Sequence, residues 1–365
     1  MTASTASPWM IYGAYGFTGR LIVEQAVRRG HKPILAGRDR EKVEDLAKRH
    51  GLQWSAVSLG DPGDVRAAIR GKSLILNAAG PFSETGRKLI DACLDTGTSY
   101  MDVSGEFGHM RSVEALDGRA KRAGIALLTG AGFGTTYGDC LAAYALERLP
   151  SAIGLRLSVA AANALTTPGA QRTIISVLAD GGYVVSGGRF ERRPLAHRAW
   201  TVRTTDSDVT FASAPLGELA ALRRSTGVTD IVVGRPMSRG AAAALRLSSP
   251  LLQGALILPV IRRFASRDRG GASQPAPPPG GWRSRLWVEA RDPEGNTVLA
   301  QLETGEGYAA AAEAALANAE TLLSRDLRGA FTPGSAFGVA LLSRLPNAAV
   351  TELESAYAFG GLLTR

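Results

Sequence analysis

The sequence predicts two differently built parts: a doubly wound parallel α/β sheet over about the first 130 residues, then an α+β domain with an open, mainly antiparallel sheet. Three observations carry this. Short apolar runs alternate with helical segments up to Leu128, a rhythm that right-handed crossovers turn into a parallel sheet. A glycine-spaced turn stands at the first strand–helix junction, between Tyr12 and Arg20. After Ser151 the alternation stops and separated strand-like runs take over.

The elements follow in order. Strand one is residues 9–12, and a helix over 18–29 is indicated by Leu21, Ile22, Gln25 and Ala26 at helical spacing. Strand two is 33–36, followed by a helix over 40–50 that Gly51 stops. Strand three is 53–58, with a short helix over 62–70. Strand four, 73–77, is a compact apolar run of the kind buried on both faces, and a helix over 85–96 ends at Gly97. Strand five is 99–103, a helix spans 108–123, and strand six is 125–128.

In the second part, residues 155–161, 200–204, 230–233 and 282–290 read as strands and 173–179 as a helix. Residues 270–281, rich in Gly, Pro and Ser, read as a loop or linker. The alanine-rich stretch 308–323 reads as a helix whose small side chains permit close packing. The expected division is 1–133, then 134–304 for substrate binding and dimerisation, then 305–365 as C-terminal helices returning to the first domain. A homodimer is therefore among the expected assemblies.

Composition narrows the class of function. The formal charge is 42 − 33 = +9, but no nucleic-acid motif accompanies the arginines that supply the excess after residue 185, so a solvated basic surface is expected and no nucleic-acid partner. Cys93 and Cys140 make no disulfide framework, which fits a reducing compartment and a cytoplasmic location. His31, His50, His109 and His197 lack metal-ligand spacing, so no metal is expected. Residues 1–8 show neither the basic start nor the apolar stretch of a signal peptide. The longest apolar run, 251–261, falls short of the roughly 20 residues a bilayer requires. With Ser249-Pro250 as a helix start and Arg262, Arg263, Arg267 and Arg269 after it, this run fits either a buried helix or a weak contact peripheral to a membrane surface.

The chemistry is most legible at the first turn, Gly13-Ala14-Tyr15-Gly16-Phe17-Thr18-Gly19. Gly13 permits a tight turn, Gly16 lets backbone approach a diphosphate, and Gly19 lets the helix pack on the sheet; this is the phosphate-binding junction of a Rossmann domain. The helix N-terminus adds unpaired N–H groups and partial positive charge. At the end of strand two, Gly37 is followed by Arg38, where an NAD enzyme commonly carries an acid for the ribose 2′-OH. A guanidinium suits a 2′-phosphate instead, and Lys42 adds charge, so NADPH is the expected cofactor. The competing reading pairs Arg38 with Asp39 or places it at the sheet edge. Asp61 after strand three, Ala78-Ala79-Gly80-Pro81-Phe82 after strand four, and Gly105-Glu106 after strand five complete the expected cofactor rim.

With these residues in view, the chain resembles the saccharopine dehydrogenase-like oxidoreductases, and within them the bacterial group that includes trans-acting enoyl reductases. The resemblance is carried by residues 12–20, by Ala36-Gly37-Arg38, by residues 77–82 and 100–106, and near the C-terminus by Phe331-Thr332-Pro333 and residues 341–345. It implies NADP binding at the matching positions and a hydrophobic or carrier-bound substrate of polyketide or lipid type, with a polyketide synthase as partner. One departure stands out. Relatives commonly follow strand six with Gly-Phe-Asp-Ser-x-Pro-x-Asp, whereas this chain reads Gly132-Phe133-Gly134-Thr135-Thr136-Tyr137-Gly138-Asp139.

Enoyl reduction requires a proton donor and a group that stabilises enolate oxygen. Tyr137 is a candidate for that catalytic role and equally for a packed aromatic; Asp139 is a candidate acid and also a helix cap. Arg172 and Thr173 are candidate substrate contacts or a solvated helix start. The readings left open are C=C reduction, saccharopine-type C=N reduction or amine oxidation, and an NADPH-binding sensor or scaffold without turnover.

Overall fold

The computed structural model describes residues 8–163, 178, 180–203, 208–214, 216–256 and 281–353. Arg172, Thr173, the helix expected at 173–179 and the loop at 270–280 lie outside the described residues. The chain divides into two units: residues 1–104, 108–133 and 308–333 form the first, and 105–107, 134–307 and 334–365 the second. Residues 334–365 thus fall in the second unit, unlike the sequence-based division, and only 308–333 return to the first.

The first unit is a seven-stranded parallel sheet. Its strands are β1 (Met10–Tyr12), β2 (Ile34–Gly37), β3 (Trp54–Ala56), β4 (Leu74–Asn77), β5 (Ser99–Asp102), β6 (Ala126–Leu128) and β15 (Gly329–Phe331). The spatial order is β15-β6-β5-β4-β1-β2-β3. Winding reverses between β1 and β4, the switch point at which open α/β sheets place ligands. Helices α1 (Phe17–Arg28), α2 (Arg40–His50), α3 (Pro62–Ile69) and α4 (Phe82–Thr96) connect the first five strands. β1, β2 and β4 are buried along their whole length, as two covered faces demand. The core joins Met10, Ile34, Ile75, Leu89, Tyr100 and Leu127 from strands and helices alike.

Three details differ from the sequence reading. The single helix expected over 108–123 is two, α5 (Phe107–Glu114) and α6 (Asp117–Ala123). The break frees Asp117 to accept from Ala330 N at 2.9 Å, which ties β15 to the sheet edge. α4 begins at Phe82 rather than Thr85, whose hydroxyl is spent on Ala79 O at 2.5 Å and Pro81 O at 3.2 Å. β3 stops at Ala56, so Asp61 does not close it; Asp61 caps α3, accepting from Gly63 N at 2.6 Å.

The second unit holds a nine-stranded mixed sheet in the order β10-β11-β12-β7-β13-β14-β16, with β8 and β9 as a hairpin beside β12. The strands are β7 (Gly154–Ala160), β8 (Gly182–Ser186), β9 (Arg189–Arg193), β10 (Ala199–Arg203), β11 (Asp208–Ser213), β12 (Asp230–Pro236), β13 (Ser284–Arg291), β14 (Thr297–Thr304) and β16 (Ala349–Leu353). Only the β7–β12 pair is parallel; the rest are antiparallel. The β8–β9 turn is Gly187-Gly188, both at positive φ, the conformation that two-residue hairpins favour. Trp200, Phe211 and Trp287 form the aromatic core, with ring centroids 6.3 and 5.7 Å apart. Both indole N–H groups are satisfied, Trp200 by Ser158 Oγ at 2.8 Å and Trp287 by Gln301 Oε1 at 2.7 Å.

The helices of this unit are α7 (Phe133–Arg148), α8 (Gly217–Thr226) and α9 (Arg239–Leu256); α10 (Gly307–Leu323) runs on into the first unit, where Glu320 meets Arg29 and His31 at 3.2 and 2.8 Å. A short α11 (Pro333–Phe337) and a 3-10 turn over 338–344 follow. α9 starts ten residues before the expected Ser249-Pro250, because Ala241 to Ala244 are strong helix formers. Pro250 lies inside it and is exposed, which leaves the carbonyl it cannot pair open to water. Among the described residues no helix is long and apolar enough to cross a membrane.

Candidate cofactor-binding site

The turn after β1 is built by backbone. Gly13 N and Ala14 N both donate to Ala36 O, at 2.8 and 3.2 Å, so β2 fixes the start of the loop. Gly16 N returns to Gly13 O at 3.0 Å, and Arg20 N opens the helical ladder at Gly16 O, 2.9 Å. Gly13 has φ +80°, and a Cβ there would stand 2.7 Å from the Cβ of Ala79. A Cβ at Gly19 would run into Gly13 O. A Cβ at Gly16 would meet only Gly13 O, at 3.2 Å, which leaves its other side open to a ligand. No side chain caps α1 and its first turn, which begins Phe17-Thr18-Gly19, holds no acid, so its positive end is uncompensated by the protein. This cradle of backbone N–H groups with room above Gly16 fits a diphosphate.

The end of β2 decides the charge. Arg38 is exposed and makes no hydrogen bond or ion pair with any described residue. It does not pair with Asp39. That carboxylate caps α2 by accepting from Lys42 N at 3.2 Å and binds Lys42 Nζ at 2.7 Å. The side-chain bond to Lys42 holds the Asp39 carboxyl below its usual range and raises Lys42. Lys42 is therefore already neutralised, and Arg38 is the group left to meet a phosphate. The Tyr15 ring lies against Gly37, where a Cβ would collide with it, and its hydroxyl accepts from Asp39 N at 3.3 Å. Asp61 caps α3 through Oδ1, which accepts from Gly63 N at 2.6 Å and Asp64 N at 3.4 Å.

The loop Ala78-Ala79-Gly80-Pro81-Phe82 is pinned by a residue absent from the sequence-based site. Asn77 is fully buried; its Nδ2 donates to Thr85 Oγ1 and to Tyr100 Oη, each at 3.1 Å, and its Oδ1 accepts from Ala79 N at 3.0 Å. Ala78 N donates to Tyr12 O at 2.8 Å, which joins this loop to the phosphate turn. One strand further, Asp102 is wholly buried and accepts from Ser104 N at 3.0 Å, Gly130 N at 3.1 Å and Thr129 Oγ1 at 2.9 Å, with His109 Nε2 at 2.7 Å. Nothing in the sequence pairs these residues, since a loop and a helical turn separate Asp102 from His109.

Residues 9–128 match the family model described as the saccharopine dehydrogenase NADP binding domain. A trans-acting enoyl reductase of Mycobacterium bovis is 25% identical over 406 aligned residues, covering 93% of this chain and 96% of that protein. A saccharopine dehydrogenase-like oxidoreductase of Bos taurus is 29% identical over 116 residues, which cover 27% of each chain. Against that relative and others like it the chain spans about a third or less of their length. Saccharopine dehydrogenase (L-Glu forming) of Saccharomyces cerevisiae shares the fold at TM-score 0.65 and 11% identity, over 95% of this chain and 100% of that one. Residues 9–128 thus form a domain of the saccharopine dehydrogenase NADP-binding type.

NADP(H) is accordingly the cofactor, and the turn after β1 with Arg38, unpaired among the described residues, has the charge and the space for it. The remaining described candidates lie in the second unit. Gly105 O accepts from Gly217 N at 2.9 Å, and Glu106 is buried. Tyr137 is completely buried within α7. Asp139 is also on α7, six residues past its start, so it caps nothing there. Its carboxylate accepts from Ser225 Oγ and from Gly334 N, the latter at 2.7 Å, and so binds three segments together. The departure at 134 has a physical cause: the Glu218 carboxylate, paired with Arg235 at 2.5 Å, occupies the place where a Cβ on Gly134 would stand. An acidic side chain at 134 would have neither room nor tolerable charge beside it. Among the described residues no group of three or more His, Cys, Asp or Glu is arranged to hold a metal ion.

Proposed function

We propose that the protein is an NADPH-dependent reductase that saturates an activated C=C bond of a polyketide- or lipid-like, carrier-bound substrate, with a polyketide synthase as the partner that presents it. The observation that carries this reading is the extent of the likeness to the Mycobacterium bovis trans-acting enoyl reductase, which runs over 93% of the chain and far beyond the nucleotide-binding part.

The first unit supplies the binding work. The amides of the turn from Gly13 to Gly19 hold the diphosphate, and Arg38 grips the 2′-phosphate through a planar fork of donors. Ala78, Ala79 and Gly80 present no bulk, so a flat ring can lie against their backbone, while Asn77 and Thr85 keep that backbone fixed. Bound NADPH supplies the hydride for the β-carbon. The proton for the α-carbon must come from an ionisable group or water; Tyr137 is the tyrosine assigned to it, with Arg172 and Thr173 on the substrate side.

The test is incubation of the protein with 4-deuterated NADPH and an enoyl thioester of pantetheine or of a carrier domain. Deuterium at the β-carbon, one NADPH consumed per saturated product, is the expected outcome. Turnover of an imine from a keto acid and an amino acid, without enoyl turnover, sinks the C=C assignment. Tight NADPH binding with no transfer to either class identifies a sensor.

A further inference from the structure

We propose that the outward face of α9, with the neighbouring β9–β10 connection, is a surface site for an anionic lipid bilayer. The site lies wholly within the second unit and is independent of the substrate assignment.

Leu247 and Leu251 stand one helical turn apart and are 82% and 80% exposed, the two most exposed large apolar side chains among the described residues. Their direction is fixed from behind. Ala242 packs with Ala196 and Ala212, Leu245 and Met237 add to that contact, and Ser249 Oγ accepts from Leu195 N at 3.0 Å. α9 is thus clamped to the 195–196 segment by one side and presents leucines on another.

The charge beside this apolar pair is mainly positive. α9 itself carries two arginines, Arg239 and Arg246, and no carboxylate. Arg246, next to Leu247, is exposed, and neither it nor Arg198 is in an ion pair with any described residue. Arg193 belongs to the same cluster although Glu191 pairs with it at 2.5 Å. Burial first, and then the charges of Arg198, Arg193 and Arg246, depress the pKa of His197 at the centre of the cluster, which places all three arginines within electrostatic reach of one point. An amphipathic helix with leucines outward and arginines beside them settles its apolar face at the acyl boundary while the guanidinium groups meet phosphates. An acidic protein would satisfy the arginines, but two leucines that stand about four-fifths exposed suit a deformable apolar layer better than a rigid surface.

Co-sedimentation with vesicles decides it. The full chain is expected to partition onto phosphatidylcholine vesicles containing phosphatidylglycerol at low salt, and far less onto phosphatidylcholine alone. Replacing Leu247→Ser and Leu251→Ser together should lower partition by at least about tenfold. Arg198→Gln and Arg246→Gln should each lower it by about fivefold, with the loss mimicked by salt. Leu247, Leu251 and Arg246 are exposed and Arg198 is half-buried, and an unchanged thermal midpoint and NADPH affinity certify folding of each variant. Equal partition of the leucine variant overturns the proposal, as does absence of wild-type partition. Capture by an immobilised acidic carrier protein through the same leucines, with none by vesicles, reassigns the face to a protein.

Discussion

His109 Nε2 lies 2.7 Å from Asp102 Oδ2, with both side chains cut off from solvent at the carboxyl end of β5. Burial alone would raise the Asp102 carboxyl. The His109 charge and hydrogen bond, with the N–H groups of Gly130 and Ser104, outweigh it and hold that carboxyl below its ordinary range. A depressed folded-state pKa contributes stability that is present above the unfolded value, about 3.9, and lost as pH falls through the folded one. Removing His109 takes away the lowering interactions, so His109→Gln should move the acid-unfolding midpoint to higher pH. Asp102→Asn should cost about 3–5 kcal/mol at neutral pH, because it strands the partners of a buried pair. Urea denaturation followed across pH 3–8 reads both.

Arg38 and Lys42 should separate cleanly. Arg38 has no hydrogen-bond or ion-pair partner among the described residues, so Arg38→Ala removes a charge-assisted bond to the 2′-phosphate worth about 1.5–3 kcal/mol. NADPH affinity should fall by roughly ten- to a hundredfold with NADH affinity unchanged. Lys42→Ala should change NADPH affinity less than threefold, about the scale of an exposed ion pair, since its charge is already matched by Asp39. Calorimetric titration with the two dinucleotides checks this; equal losses would mean that Lys42 reaches the phosphate.

Two glycines of one turn should fail in different ways. Gly13→Ala forces a Cβ into a left-handed backbone and onto Ala79, so about 1–3 kcal/mol of stability should go together with cofactor binding. Gly16→Ala meets only Gly13 O, so its thermal midpoint should stay within a few degrees while NADPH affinity drops. Differential scanning calorimetry with and without NADPH distinguishes the two.

Asp139 should behave as a structural residue. Asp139→Ala strands Ser225 Oγ and Gly334 N and should destabilise the protein by about 1–3 kcal/mol. Any activity measured on the folded fraction should keep its pH profile. A profile that loses one limb would restore Asp139 to the chemistry.

The phosphate turn and Arg38 were legible because their signals are local: three glycines across seven residues, and a cation where an acid is usual. The β8–β9 hairpin was also within reach, since Gly187-Gly188 after the β-rich run Tyr183-Val184-Val185 is a hairpin turn signal. Other features depend on contacts distant in sequence. Asn77 holds its loop through Tyr100, Asp102 meets Thr129, and Glu218 takes the space over Gly134; no periodicity or spacing announces such meetings. Asp61 also has a second role that depends on local chain geometry: followed by Pro62, it caps α3.

The seventh strand of the first sheet reaches it from residues 329–331, some two hundred positions after β6 leaves the ribosome. Until then β6 carries an open edge of N–H and C=O groups, a template for pairing with other nascent chains. The amino-terminal unit therefore completes only after residues 329–331 have been made, and expression of residues 1–133 by themselves should give a product prone to aggregate.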